Sequence, residues 1–127
     1  MENIRINNLL LLESDFKRIS NVVFSDEVIS EVTIETEISN PENNVVNVIE
    51  TVTLVQKYQG QEQVSIKVKM VGVFDCDDVD NYEEFGRING AAIIFPYIRE
   101  HITNLSTKAG IGTIVMPPVN FENSVRQ

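Results

Sequence analysis

Asp75, Asp77, Asp78 and Asp80 crowd into one stretch, Asp75-Cys76-Asp77-Asp78-Val79-Asp80-Asn81-Tyr82-Glu83-Glu84, and carboxylates at such spacing are the oxygen donors that hard cations require. A calcium loop nevertheless fails on its register. Asp75 and Asp77 fill the first and third places, but Val79 stands where the next oxygen ligand is needed, Asp80 where the sharp turn needs glycine, and Gly86 where a bidentate glutamate should close the site. The stretch reads as a solvated acidic loop. Cys76 lies inside it, among carboxylates that disfavour formation of the reactive thiolate, and reads as a poor nucleophile candidate. His101 is the single histidine, and no second metal ligand or Gly-x-Ser-x-Gly elbow accompanies it, so it reads as a helix-surface side chain rather than a catalytic base. Gly110-Ile111-Gly112 is too short for a phosphate loop and has no basic cluster beside it. The sequence offers no catalytic residue, no metal site and no cofactor site, which moves attention to surfaces and to the elements that build them.

From 31 to 38 the residues alternate, Val32, Ile34 and Ile38 on one face and Glu31, Glu35 and Glu37 on the other, the period of a half-buried strand. Asn40-Pro41-Glu42-Asn43-Asn44 ends it as a turn. Two more β-rich runs, 45–58 and 62–74, flank Gln59-Gly60-Gln61 and read as a hairpin; in the second, Val64, Ile66, Val68 and Met70 share a face. An earlier strand over about 6–16 makes four. Its Leu9-Leu10-Leu11-Leu12 points apolar side chains to both faces, so something must cover that strand. After the acidic loop comes a short helical segment carrying Phe85 and Ile88, then a break at Gly90. The main helix starts near Ala91, where Pro96 is tolerable close to the start. Ile94, Ile98, Ile102 and Leu105 align at helical spacing, Lys108 suits the negative end, and Gly110 is placed to cap it. Ala91, Ala92, Ile93, Phe95 and Tyr97 make the first half apolar nearly all round, which predicts burial against another subunit as well as its own sheet.

The whole chain, 1–127, reads as a single domain. Nineteen acidic against ten basic residues give a net charge of −9, the wrong sign for a phosphate backbone, so nucleic acid is not expected as a partner; basic unfolded segments are. No apolar run approaches the roughly 20 residues of a membrane span, so no membrane insertion is expected. Met1-Glu2-Asn3-Ile4-Arg5 lacks the features of a secretory signal, and a lone cysteine agrees with a reducing compartment; the expected location is the cytoplasm.

Two motifs in the last third carry more information. Ile94-Phe95-Pro96-Tyr97-Ile98-Arg99-Glu100 opens the helix, and Met116-Pro117-Pro118-Val119-Asn120-Phe121 follows its end. In order and separation they resemble the signature of the SecB family of export chaperones, and the likeness extends upstream through 64–74. The resemblance implies an α+β fold, a four-stranded antiparallel sheet packed with a long helix, assembled as a dimer of dimers into a homotetramer. It implies no bond chemistry and no cofactor, but an ATP-independent holdase for unfolded polypeptides or preproteins. Carried over by position, the client-binding groove falls on Phe74, Phe95, Tyr97, Val119, Asn120 and Phe121, with simple core membership the alternative for Phe95, Tyr97 and Phe121. Ile94, Ile98, Ile102 and Leu105 are expected at the oligomer interface.

The family's docking surface for the motor SecA is acidic, and its positions fall near Glu13, Lys17, Ser65 and Lys67, of which only the first is acidic. A lysine in place of a carboxylate reverses the local attraction, so SecA coupling is expected to be weak. Some SecB-like chaperones instead guard the antitoxin of a toxin–antitoxin pair, and an antitoxin stands as an alternative partner. Two rivals come from other classes: an adaptor binding one folded partner through the acidic loop, and a small enzyme using His101 with a carboxylate in a deep pocket.

Overall fold

A computed structural model describes residues 5–76, 79–112 and 114. Four strands come first: β1 (Arg5–Arg18), β2 (Ile29–Ile38), β3 (Val45–Tyr58) and β4 (Gln61–Asp75). All pairings are antiparallel and the spatial order is β1-β4-β3-β2, so β1 and β2 are the two edges. The β3–β4 turn has Gln59 at φ 51° and Gly60 at φ 78°, two successive left-handed residues of the kind that match the twist of a tight hairpin. Asn43 (φ 55°) and Asn44 (φ 62°) turn β2 into β3, using the residue type that best tolerates that region. The segment 19–28 then carries the chain from one edge of the sheet to the other.

Period two decides the faces. Val46, Val48, Val52 and Leu54 of β3 and Val64, Ile66, Val68 and Phe74 of β4 all point to one side and are buried there. A helical stretch covers that side: a short 3-10 turn (Val79–Asn81), α1 (Tyr82–Phe85), a wide turn (Gly86–Gly90) and α2 (Ala91–Lys108). Ile94, Ile98 and Ile102 of α2 are completely buried in the same cluster. Each such side chain withdrawn from water contributes about 1.5–3 kcal/mol. Phe74 closes the core edge to face against Phe85 of α1, with ring centroids 5.2 Å apart and planes at 80°.

Three expectations change here. Gly90 does not break the helix, since it is itself helical at φ −63°, ψ −48°. Its role is close approach: a Cβ there would meet Val48 Cγ2 at 3.0 Å, and one at Gly86 would meet Ile38 Cγ1 at 2.8 Å. Pro96 therefore lies deeper in a continuous helical run than a helix starting freshly at Ala91 would place it. Cys76 belongs to the core rather than to a solvated loop: its N–H donates to Asn44 C=O at 2.7 Å, prolonging β4, and its side chain is fully buried.

β1 is the irregular strand. Register shifts between Ile6 and Asn8 and between Leu11 and Glu13 set Leu9 opposite Gly72 and Leu11 opposite Met70, while Leu10 stands opposite Val71 on the outer face. Leu10, Leu11 and Leu12 remain about half exposed, so the chain itself covers them only in part.

Candidate functional site

The residues with chemical potential are absorbed into structure. Asp75, first of the would-be cation ligands, accepts Asn7 Nδ2 at 2.7 Å and pairs with Arg5 at 3.5 Å, tying β4 to β1. Asp77 and Asp78 lie outside the described residues. His101 Nε2 and Ser14 Oγ share a hydrogen bond at 2.9 Å, joining the middle of α2 to edge strand β1. His101 is half-buried, and among the described residues no group of three His, Cys, Asp or Glu side chains is arranged for a metal. This geometry holds an edge strand on the helix.

The groove residues expected from the sequence divide. Phe74 and Phe95 are core side chains, with no surface left for a client. Tyr97 is 54% exposed on the outer face of α2, beside Ile93 at 40%. Val119, Asn120 and Phe121 lie outside the described residues. Ile94, Ile98 and Ile102, expected at the oligomer interface, are buried against the chain's own sheet, because the 3.6-residue period that aligns them also turns them all toward β3 and β4. Leu105 is half-buried against the same cluster. The face of α2 that stays exposed in the chain is the one bearing Ile93 and Tyr97.

An open groove of about 610 Å³ lies elsewhere, at the end of the sheet where the 19–28 segment crosses. Its apolar lining is Val22, Val23 and Phe24 from that segment, Val28 before β2, and Ile111 and Ile114 after α2. Asp26, Ser30 and Gln56 supply a polar margin. Phe24 is 70% exposed, an unusual placement for a ring that gains so much from burial. Val22, by contrast, packs against the core. The crossing segment is tied down at its base by Arg18, which donates to the carbonyls of Ile19 and Ser20 and also to Ala109 C=O at the end of α2. No helical or strand period marks 19–28 in the sequence. The signal available was three consecutive apolar residues, Val22-Val23-Phe24, set between Ser20-Asn21 and Ser25-Asp26.

A sequence model of the family described as "Preprotein translocase subunit SecB" matches residues 17–127. The chain belongs to the SecB family. A protein-export protein SecB of Aromatoleum aromaticum is 34% identical over 95 residues, covering 72% of this chain and 60% of that protein. An uncharacterized protein of Methanocaldococcus jannaschii is 31% identical over 94 residues, covering 70% and 61%. The chain thus spans about three fifths of the length of these relatives. Among solved structures, the SecB-like chaperone of Mycobacterium tuberculosis in complex with a ChAD peptide from the HigA1 antitoxin superposes with a TM-score of 0.83 at 15% identity, covering 94% of this chain and 92% of that one. The fold is SecB-like.

Within this SecB fold, Glu13, Lys17, Ser65 and Lys67 form one neighbourhood on the outer face of β1 and β4. Lys17 stands opposite Ser65, and Lys67 Nζ lies 3.4 Å from Glu13 Oε2. The one acidic member is thereby paired with a lysine, and the patch carries no acidic surplus.

On the opposite, helix-facing side, Glu50 sits between Val48 and Val52 of β3 with no exposure, and neither of its carboxylate oxygens has a hydrogen-bond partner. Burial pushes its carboxyl from an ordinary 4.5 up to about 8. Its cross-strand neighbours are Thr36 and Met70, which leaves an ionised carboxylate there without a counter-charge. At neutral pH the group is mainly neutral.

Proposed function

We propose that this SecB-family chain is a cytoplasmic, ATP-independent holdase that captures unfolded or preprotein segments and works as a homotetramer. The observation that carries the reading is the open groove with an exposed Phe24 at its rim, joined to family membership. A groove of this kind engages apolar side chains without bond chemistry, each buried Leu or Phe contributing roughly 1.5–3 kcal/mol before ordering costs, so useful affinity needs several engagements on one client. No described helix is long and apolar enough to cross a membrane. The exposed leucines of β1 and the Ile93 and Tyr97 face of α2 are the surfaces this reading gives to other copies of the chain.

Aggregation suppression of a denatured client, without nucleotide, tests the reading. The unmodified protein should suppress at stoichiometric amounts, and Phe24→Asp should raise the amount required roughly tenfold, the scale of one lost apolar contact. No suppression by the unmodified protein would sink the holdase reading. Coupling to SecA should be weak because Lys67 neutralises Glu13. Replacing Lys17 and Lys67 with glutamate should strengthen SecA binding and leave client holding unchanged; tight SecA binding by the unmodified chain would overturn that part.

A second reading has its own observation. The mycobacterial structure that shares this fold holds an antitoxin peptide, so an antitoxin segment is an alternative client for the groove. Competition between such a peptide and a general unfolded client, measured as displacement, distinguishes a dedicated chaperone from a broad one.

A further inference from the structure

Arg18 fixes the base of the 19–28 segment, but the groove wall lies further along, at Val22, Val23 and Phe24. A single buried amide reaches it. Gln63 is 3% exposed and sits at an irregularity in the β3–β4 ladder, where Gln56 pairs with Val64 and Lys57 with Glu62, so Gln63 has no Cα partner on β3. Its Oε1 accepts the Val23 N–H at 2.6 Å, its Nε2 donates to the Val23 C=O at 3.1 Å, and its own carbonyl accepts the Ile19 N–H at 3.0 Å. Because Val23 presents one donor and one acceptor, only one orientation of the amide satisfies both. Gln63 therefore offers Val23 what an adjacent strand would offer, at a point where the sheet supplies none.

We propose that Gln63 is a positioning residue of the client groove: by clamping the Val23 backbone it directs Val22 into the core and holds Phe24 out at the rim. This rests on the reading of the groove as the client site. Without the clamp the wall must be ordered when a client arrives, and that ordering subtracts from affinity. A side chain of equal size, Gln63→Glu, keeps the acceptor but in its ionised form places an oxygen against the Val23 C=O, while Gln63→Leu removes both bonds whatever the pH.

The experiment measures binding of a short fluorescein-labelled peptide rich in Leu and Phe by anisotropy, in the full chain, with Gln63→Glu, Gln63→Leu, Phe24→Ala and Phe24→Ala combined with Gln63→Glu. Each Gln63 variant should weaken binding roughly tenfold, about the worth of one net hydrogen bond, while mass and cooperative unfolding are retained. In the Phe24→Ala background the same substitution should cost less than about twofold, since an effect exerted through Phe24 disappears with it. Equal or tighter binding by the Gln63 variants, or the full penalty in the Phe24→Ala background, overturns the inference and leaves the groove reading standing. No peptide binding by the unmodified chain, or no loss with Phe24→Ala alone, defeats the groove reading and the inference with it. Should both Gln63 variants fail to fold, amide exchange in the unmodified protein decides: Val23 exchanging more slowly than Phe24 supports the clamp, and equal rates refute it.

Discussion

Glu50 shows what a carboxyl without a partner does inside a sheet–helix interface. Its folded value of about 8 stands above the 4.5 of an exposed glutamate, so the folded state holds a proton that the unfolded chain has released. The stability it permits is fully present below pH 4.5, declines as pH rises toward 8, and is gone above that. At pH 7 the penalty is about 3 kcal/mol, at 1.36 kcal/mol per pH unit. Glu50→Leu should therefore stabilise the protein by roughly that amount at pH 7 and by far less at pH 5, read from denaturant midpoints at the two values; equal gains at both would show that the carboxyl does not titrate as its burial requires. The residue was legible in the sequence, since Val46, Val48, Val52 and Leu54 alternate and Glu50 falls on the same inward parity. Gln63 was not, because its partner Val23 lies 40 residues away in a segment without periodicity.

Among the elements, the strands and α2 were readable because each carries its own period over many residues. The expected 45–58 strand matches β3 at both ends, and Ala91 and Lys108 bound α2. Strand order was not readable, since pairing β1 with β4 depends on a crossover that leaves no local signal. The same limit holds for the helix faces: apolar spacing shows that Ile94, Ile98 and Ile102 are buried, not by which chain. Their burial under β3 and β4 gives a sharp contrast. Ile98→Asp should place an unpaired charge in the core, cost several kcal/mol and abolish the cooperative unfolding transition at any protein concentration. Tyr97→Asp, one position along on the exposed face, should leave circular dichroism unchanged while lowering the assembled mass. A folded, dissociated Ile98→Asp chain would return that residue to the interface.

At the scale of the molecule, charge and apolar surface act against each other. The formal −9 counts Glu50 as ionised; with its carboxyl neutral the folded chain carries −8, and four copies carry −32. Each of the ion pairs Arg5–Asp75, Lys57–Glu31 and Lys67–Glu13 lies within one chain at a solvent-exposed site, where such pairs are worth about 0–1 kcal/mol. The proposed contacts between copies, through the β1 leucines and the Ile93 and Tyr97 face, are apolar. Association then gains from burial and loses to like-charge repulsion, and salt removes only the loss, since the screening length falls to about 10 Å at 0.1 M. Light scattering at micromolar concentration should therefore give a tetramer of the 14.3 kDa chain whose dissociation on dilution is suppressed as salt rises from 0.02 to about 0.2 M, while capture of a basic client slows over the same range. Dissociation promoted by salt would require charged pairs between copies, and a persistent 14.3 kDa monomer would leave the half-exposed β1 leucines to some other partner.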